Sequence, residues 1–198
     1  MIKLDHLPLS SLSVTSPYGL RNVTVGGTTY WWHNGVDFSA EVNTPVYAAA
    51  EGTVKAVRYN EGGYGYYAAL DHGNFGTLYA HLSNLSVTEG DLVSAGDLIG
   101  YSGSTGAATG PHLHFELRIG SYDNFWDRAR CDSNVFMRTS DPMVFIDEYL
   151  EKQKDISVET AVSIVKSRAN LEDKTIDYMV NDYKFGTDLV KKLAKAIM

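Results

Sequence analysis

The chain of 198 residues contains a single cysteine, Cys131, so no disulfide can form within it. A chain without disulfides is typical of a reducing compartment. No apolar run approaches the roughly 18–20 residues of a membrane-spanning helix. The N-terminal segment MIKLDHLPLSSLSVTSPYGLR also lacks the apolar core of a secretory signal. We therefore expect a soluble protein without an export signal, unless a signal has been removed from this chain.

Positive charge is scarce in the first three quarters of the chain. Residues 1–150 hold 8 Lys and Arg against 16 Asp and Glu, a net charge of -8, whereas residues 151–198 hold 9 against 8. This acidic balance, without any basic cluster, argues against nucleic acid as the principal partner. The hydrophobic content of 44% and the charged content of 21% are typical of a globular protein. The length suits one domain with a small appendage.

Residues from about 12 to 120 have the pattern of a β protein. Short runs rich in Val, Tyr, Thr and Leu, such as TPVYAAAEGTVKAVRY and GTLYAHLSNL, alternate with glycine-containing turns. This pattern predicts a mainly β fold built on an antiparallel sheet. Residues 121–140, which include Phe125 and Trp126, are predicted to form a long irregular loop. That loop either walls a functional site or packs back on the core.

Helical patterns begin only after the β region. Asp141 and Pro142 suit the N-cap and first position of a helix that starts at residue 142. Residues 155–198 are predicted to form a small region of three amphipathic helices, with N-caps at Ser157 and Asn170 and a break at Gly186. We expect these C-terminal helices to brace the main domain or to mediate dimerisation.

Two histidines stand close together in the segment TGPHLHFELR. Successive side chains of a strand point to opposite faces, so residues 113, 115 and 117 form an apolar face. His112, His114 and Glu116 then share the opposite face. A half-buried strand explains the apolar face, but it does not explain a pair of histidines on the other.

Two further segments offer similar side chains. In WWHNGVDFS, His33 and Asp37 are four residues apart, and in a strand this even offset places both on one face. In GTLYAHLSN, His81 is predicted to share a face with Thr77 and Tyr79, opposite the apolar residues between them. Three strand-like segments therefore each present His or Asp from the face that is predicted not to be apolar.

Imidazole nitrogens and a carboxylate oxygen are natural ligands of zinc. Two histidines and one carboxylate leave a fourth position for water, which is the arrangement of a catalytic site. A structural zinc site would be expected to use cysteines, and Cys131 stands alone. Calcium is a poor match because imidazole is a poor ligand for a hard cation. Non-haem iron remains open, since it uses the same types of ligand.

The motifs HNGVD, TLYAHL and GSTGAATGPHLHFELR resemble the three signatures of the lysostaphin-like, or LytM-type, zinc endopeptidases that cut peptidoglycan cross-links. The flanking segments TSPYGLR, TPVYAAAEGTVKAV and GDLVSAGDLIGYSG are similar to the same family, in the same order. The resemblance covers roughly residues 12–150. It implies a LytM-type peptidase domain over residues 1–150, with Zn²⁺ as cofactor and a groove walled by loops.

By matching motif positions, the resemblance implies that His33, Asp37 and His114 hold the metal. It also implies that His81 and His112 are catalytic histidines that do not ligate the metal. All five positions are present, whereas some relatives have lost metal ligands and only regulate or bind amidases. The expected partners are the stem and cross-bridge peptides of peptidoglycan, and binding to cell wall is a further expected role of the C-terminal helices. Glycyl–glycyl bridges and D-alanyl cross-links are both substrates within the family.

Alternative functions are a non-catalytic wall-binding or amidase-regulating module and a metal-dependent hydrolase of another substrate. A biotinyl-type or lipoyl-type carrier is disfavoured, because no lysine follows Lys55 on the stretch where a carrier needs one. His72, in a predicted turn, is expected to be structural, and His6 carries no signal. A wall-cutting domain without a visible signal favours a phage or prophage lysin that acts at the bacterial cell wall after release, or on a phage particle.

Overall fold

The computed structural model describes residues 2–25, 27–120, 138–154, 158–169, 175, 180 and 186–197. The chain divides into two compact units, Met1–Tyr149 and Leu150–Met198. The first unit contains every strand of the described part of the chain, and the predicted mainly β fold is confirmed. No helix in the described ranges has both the length and the apolar character needed to cross a membrane.

The described residues form twelve strands and three helices. The strands are β1 (Val14–Ser16), β2 (Gly19–Val25), β3 (Thr28–His33), β4 (Val36–Ser39), β5 (Pro45–Tyr47), β6 (Gly52–Asn60), β7 (Gly65–Asp71), β8 (Phe75–Leu85), β9 (Leu92–Val93), β10 (Leu98–Ser102), β11 (His112–Ile119) and β12 (Thr139–Ser140). The helices are α1 (Pro142–Lys154), α2 (Val158–Ala169) and α3 (Gly186–Ile197).

One large antiparallel sheet dominates the first unit. Its main path runs β1-β4-β11-β8-β7-β6-β9; in addition, β10 pairs with β5 and β8, and β12 pairs with β11. Strands β2 and β3 form a separate two-stranded sheet. Strand β11 is therefore a central strand, hydrogen-bonded to β4 on one side and to β8 on the other. Its side chains meet residues from both neighbours.

The apolar face of β11 lies in the core, as its alternation predicts. Leu113, Phe115 and Leu117 have no solvent exposure. Phe115 lies opposite Val36 of β4 and opposite Tyr79 of β8, and directly opposed residues of a sheet project to the same face. Buried apolar side chains from three adjacent strands thus fix the register of β11 against its neighbours.

His72 has the structural role that was expected of it. Its Nδ1 donates a hydrogen bond to the carbonyl oxygen of Glu51 over 2.7 Å, and its Nε2 lies 2.8 Å from the hydroxyl of Thr77. That hydroxyl also contacts Tyr79, whose oxygen accepts the backbone N–H of Ala49. Burial raises the pKa of Tyr79 to about 12 and lowers the pKa of His72. The network thus joins polar groups that would otherwise be buried without partners.

The helical predictions are confirmed where the structure describes them. The carboxylate of Asp141 accepts the backbone N–H of Met143 over 2.9 Å, which is an N-cap at the start of α1. In the second unit α2 and α3 pack through a cluster of small apolar side chains: Ala161, Val165, Val190 and Ala194. The predicted caps at Ser157 and Asn170 lie outside the described residues. The helix predicted to follow Asn170 also lies outside them, except for residues 175 and 180.

The predicted loop 121–140 is shorter than expected at its end. Thr139 and Ser140 form β12 and pair with Arg118 and Leu117, so they belong to the sheet. The rest of the predicted loop, with Phe125 and Trp126, lies outside the described residues, as does Cys131.

Gly35 lies in the turn between β3 and β4, directly against β11. A Cβ at this position would overlap the carbonyl oxygen of Phe115 and lie 2.9 Å from the Cγ of Glu116. Because backbone cannot move aside cheaply, we expect Gly35→Ala to destabilise the fold by about 1–3 kcal/mol. Thermal unfolding followed by circular dichroism measures the effect as a lower Tm.

The matched control is Gly62→Ala, at an exposed glycine where an added Cβ meets no atom within 4 Å. This variant should keep the wild-type Tm. A Gly35→Ala protein with an unchanged Tm would show that the turn is free to move away from β11.

Candidate metal centre and groove

The structure brings all five predicted site residues together. His33 ends β3, Asp37 lies in β4, His81 in β8, and His112 and His114 in β11. Asp37 and His114 face one another across the β4–β11 pair. The ring centroids of His81 and His112 are 4.7 Å apart, and those of His81 and His114 are 5.8 Å apart. Residues separated by up to 81 positions in the chain therefore form one site.

Three donor atoms define what we call the donor triangle, formed by His33, Asp37 and His114. The Nε2 of His33 lies 3.0 Å from the Nδ1 of His114 and 3.1 Å from the Oδ1 of Asp37. The third side, from the Nδ1 of His114 to the Oδ1 of Asp37, measures 2.8 Å. All three residues are buried.

Hydrogen bonds outside the triangle set the tautomers of its two histidines. The Nδ1 of His33 lies 2.8 Å from the carbonyl oxygen of Pro17, which can only accept, so this nitrogen carries the proton. The Nε2 of His114 lies 3.0 Å from a carboxylate oxygen of Glu116 and likewise donates to it. In the neutral rings, the nitrogens that face the triangle therefore carry lone pairs.

The donor triangle fits a divalent cation. Three lone pairs that meet at these distances repel one another unless a positive charge lies among them. Tetrahedral zinc with bonds of about 2.0–2.2 Å separates its ligand atoms by roughly 3.3–3.6 Å, so only small adjustments of the triangle are needed. Imidazole and carboxylate donors also match zinc or non-haem iron better than calcium.

In the protein without metal, a proton takes the place of that charge. Burial alone would lower the pKa of His114, but hydrogen bonds to Asp37 and Glu116 raise it to about 9. Burial would raise the pKa of Asp37, yet the hydrogen bonds from His114 and His33 hold it well below its usual range. Binding of a metal must displace the proton of His114, so it is coupled to proton release.

His81 reaches the site through an irregularity of β8. Tyr79 lies opposite Phe115 on the core face, so strict alternation would send His81 to the core as well. The pairing of β8 with β7 shifts register beside His81, whose φ of 59° lies in the left-handed region. This β-bulge turns the ring toward the metal cluster. The prediction that His81 shares a face with Thr77 and Tyr79 was therefore wrong, because those two residues lie opposite Leu117 and Phe115 on the core face.

The sequence spacing suggested that His33 and Asp37 share one strand, but they do not. The strand is interrupted at residues 34–35, so His33 belongs to the separate β2–β3 sheet and Asp37 to the main sheet. Asp37 does project away from the core face, since its neighbours Val36 and Phe38 lie opposite Phe115 and Leu113. The two side chains nevertheless meet, with the Nε2 of His33 3.1 Å from the Oδ1 of Asp37.

His81 and His112 form a second pair beside the donor triangle. The Nδ1 of His81 lies 2.8 Å from the carbonyl oxygen of Thr105, and the Nδ1 of His112 lies 2.8 Å from that of Gly110. Both Nδ1 atoms therefore donate, and in a neutral ring the Nε2 atom is then the one that carries the lone pair. Burial and the neighbouring histidines His114 and His112 lower the pKa of His81 to about 3. His81 is thus neutral at neutral pH and able to accept a hydrogen bond at Nε2.

A buried polar cluster around Glu116 forms a hydrogen bond with His114, and this cluster was not predicted from the sequence. Glu116 has no solvent exposure; one carboxylate oxygen meets His114 and the hydroxyl of Tyr64, and the other lies 2.7 Å from the guanidinium of Arg118. Burial would raise the pKa of Glu116, but Arg118 and His114 hold it well below its usual range. The alternation of β11 had placed Glu116 beside the histidines, which was the available signal.

A groove runs over the metal cluster. It consists of two adjoining cavities that share Arg21, Val25, His81, Ala107 and His114. Residues of β2 and β3 line this groove, and so do residues of the segment 107–111. All three residues of the donor triangle therefore line this groove.

The chain is similar to known peptidases. The profile of "Peptidase family M23" matches residues 32–125, which contain all five site residues. Peptidoglycan DD-endopeptidase ShyA of Vibrio cholerae serotype O1 is 39% identical over 129 residues, covering 63% of this chain and 28% of ShyA. The chain spans between 18% and 28% of the length of the curated relatives it matches.

Two solved structures share the fold. The catalytic domain of the antimicrobial peptidase lysostaphin from Staphylococcus simulans is 32% identical, with a TM-score of 0.59, over 72% of this chain and 99% of that chain. A zinc-containing peptidase from Vibrio cholerae is 31% identical, with a TM-score of 0.57, over 72% of this chain and 40% of that chain.

We predict that alanine at any position of the donor triangle abolishes tight binding of zinc, because two remaining donors cannot balance the cost of removing the ion from water. His81→Ala and His112→Ala should keep zinc, since their Nε2 atoms lie outside the triangle. Elemental analysis after dialysis against metal-free buffer measures the bound ion.

His6→Ala is the control for loss of a histidine as such, because His6 contacts the carbonyl oxygen of Leu7 and is not in the metal cluster. Retention of stoichiometric zinc by a His114→Ala protein would contradict the assignment of the triangle.

Proposed function

The chain belongs to peptidase family M23, and on this premise we propose that it is a zinc-dependent endopeptidase that hydrolyses peptide cross-links of bacterial peptidoglycan. One observation carries the proposal: a buried donor triangle lies beside two histidines that line the same groove and are oriented through their Nδ1 atoms. The substrate is supported by ShyA, a relative named as a peptidoglycan DD-endopeptidase.

The donor triangle would hold the zinc ion, as its donor chemistry fits. When bound, zinc supplies Lewis acidity for the scissile carbonyl and lowers the pKa of a coordinated water toward roughly 7. The fixed tautomers of His33 and His114 keep their lone pairs directed at the ion. Glu116 accepts the N–H of His114 and raises the basicity of that ligand, as partners of metal-bound histidines commonly do.

His81 and His112 provide the proton transfers. Each ring is oriented by an Nδ1–H bond to a backbone carbonyl, and each offers Nε2 as the acceptor. Hydrolysis of a peptide bond needs one group to take a proton from the attacking water and one to stabilise the oxyanion or to protonate the leaving amine. We assign these two tasks to this pair of histidines.

A non-catalytic wall-binding or regulatory module fits the site less well. A left-handed conformation at a residue other than glycine costs about 1–3 kcal/mol, and it persists where the surroundings enforce it for a function. Binding of a wall peptide alone needs neither this conformation at His81 nor a second histidine beside it. A general acid–base pair needs both rings in the groove.

The setting and the C-terminal helices remain predictions. A phage or prophage lysin acting at the cell wall is one proposed context, and a gene neighbourhood of phage lysis or tail genes would support it. For α2 and α3, bracing, wall binding and dimerisation are the proposed roles. A chain truncated after residue 154 that kept full binding to purified wall would remove the wall-binding role.

We predict that the protein cleaves purified peptidoglycan and that a zinc chelator stops the cleavage. Two walls would be digested, one with glycine bridges and one with direct D-alanyl cross-links, and mass spectrometry would identify the new amino termini. Activity should return when zinc is added back, because the donor triangle supplies only part of the coordination and leaves the site open.

His33→Ala is the matched control for this digestion, since it removes a ligand without adding a chelator to the wall. Failure of the zinc-loaded protein to release any new amino terminus from either wall would contradict the proposed activity.

We predict that His81→Ala and His112→Ala each lose about 10²–10⁴-fold in kcat, the usual contribution of a general acid or base. Both variants should keep zinc and the wild-type circular dichroism spectrum. The rate of release of amino termini measures kcat, with His6→Ala as a control that should match the wild type. Near-full activity in either variant would remove that histidine from the proposed mechanism.

A further inference from the structure

Arg21 of β2 lines the groove together with the segment 107–111. Its side chain lines both cavities that meet at the metal cluster. Among the described residues that line these cavities, Arg21 is the only Lys or Arg. Its side chain keeps 24% of its exposure, so a ligand in the groove can reach it.

The guanidinium of Arg21 makes only long contacts with hydrogen-bond acceptors of the protein. Its Nη1 lies 3.4 Å from the hydroxyl of Ser16 and 3.6 Å from the Oδ2 of Asp37, both longer than a good hydrogen bond. Its Nε is buried and has no acceptor among the described residues. The Tyr30 ring lies 6.0 Å from its Cζ. Arginine has five N–H donors, so most of them remain available.

The charges around Arg21 make it the place where an anion would bind. The other arginine near the metal cluster, Arg118, is 1% exposed and is paired with Glu116. Residues 1–150 carry a net charge of -8, so an anionic ligand is repelled by most of this part of the chain. A guanidinium inside the groove offsets that repulsion locally, and its planar fork matches a carboxylate.

We propose that Arg21 binds a free carboxylate of the substrate, carried by the residue that supplies the amine of the scissile peptide bond. This inference rests on the proposed function. Where the diamino acid of a direct D-alanyl cross-link is a diaminodicarboxylic acid, it bears such a carboxylate on the carbon that carries the scissile nitrogen. A glycine within a bridge bears none. Arg21 is thus a specificity-determining residue that favours direct cross-links over glycine bridges.

The position of Arg21 agrees with this assignment. Its nearest contact in the metal cluster is the Oδ2 of Asp37, while the Oδ1 of the same carboxylate belongs to the donor triangle. A carboxylate one carbon away from the scissile nitrogen would therefore lie within reach of the guanidinium when the peptide bond lies over the triangle. An alternative role, orienting Asp37, would use a contact of 3.6 Å, which is too long for a hydrogen bond.

The test uses two synthetic peptides that contain a D-alanyl bond to the diamino acid. They are identical except that the carboxyl group beside the scissile nitrogen is free in one and a carboxamide in the other. The zinc-loaded full chain is titrated with each peptide by calorimetry. Affinity is read as Kd where the peptide stays intact and as KM where it is cleaved.

The wild type should bind the free acid about 10- to 100-fold more tightly than the amide, as expected for a charge-assisted hydrogen bond. Arg21→Met should bind both peptides almost equally. Arg21→Lys should keep part of the preference, because it retains the charge but not the fork. Arg58→Met is the matched control at a surface arginine that pairs with Glu89, and it should keep the wild-type preference.

Three results would overturn the subsite. They are equal affinities in the wild type, a preference that survives in Arg21→Met, and loss of zinc from Arg21→Met, which would make Arg21 a structural partner of Asp37. The proposed function can fail separately. If neither peptide nor wall is cleaved but the preference depends on Arg21, the carboxylate subsite stands and the endopeptidase activity does not.

Discussion

The repulsion among three lone pairs is the constraint on which the rest of this site depends. The donor atoms of His33, Asp37 and His114 lie 2.8–3.1 Å apart, and neutral rings place no hydrogen among them. Only a cation, or the proton that His114 holds in the protein without metal, makes the arrangement favourable. The β fold supplies the rigidity: Asp37 and His114 are paired across two central strands whose other faces are buried in the core.

The metal centre rests on buried charged residues, whose removal from water costs free energy. Glu116 and Arg118 are charged groups with 0% and 1% exposure, and removal from water is expensive unless each finds partners. They pair with one another, and the carboxylate of Glu116 also accepts hydrogen bonds from Tyr64 and His114. The carbonyl oxygen of Tyr64 also accepts the N–H of His81. One residue thus joins the support of a metal ligand to the bulge that carries a proposed catalytic histidine.

The sequence predicted more of the site than of the geometry that assembles it. Alternation in β11 correctly separated the core residues from His112 and His114, because that strand is regular. The same rule failed at His81, since a bulge reverses the face, and at His33, since a turn divides its strand from that of Asp37. Family resemblance was insensitive to both irregularities because it matches motifs whatever their backbone. The role proposed for Arg21 was not predicted, because it depends on which residues, distant in the sequence, line the groove with it.

The proposed proton transfers and the proposed carboxylate subsite draw on different sheets of this domain. Asp37, His81, His112 and His114 come from the main sheet, whereas Arg21 comes from the two-stranded β2–β3 sheet. The two sheets are not independent, because His33 ends β3 and pairs with Gly19 at the base of β2. A change in the β2–β3 wall that alters the groove therefore acts on a metal ligand as well. Substitutions near the tip of this hairpin can change what the groove accepts, while those near its base also affect metal binding.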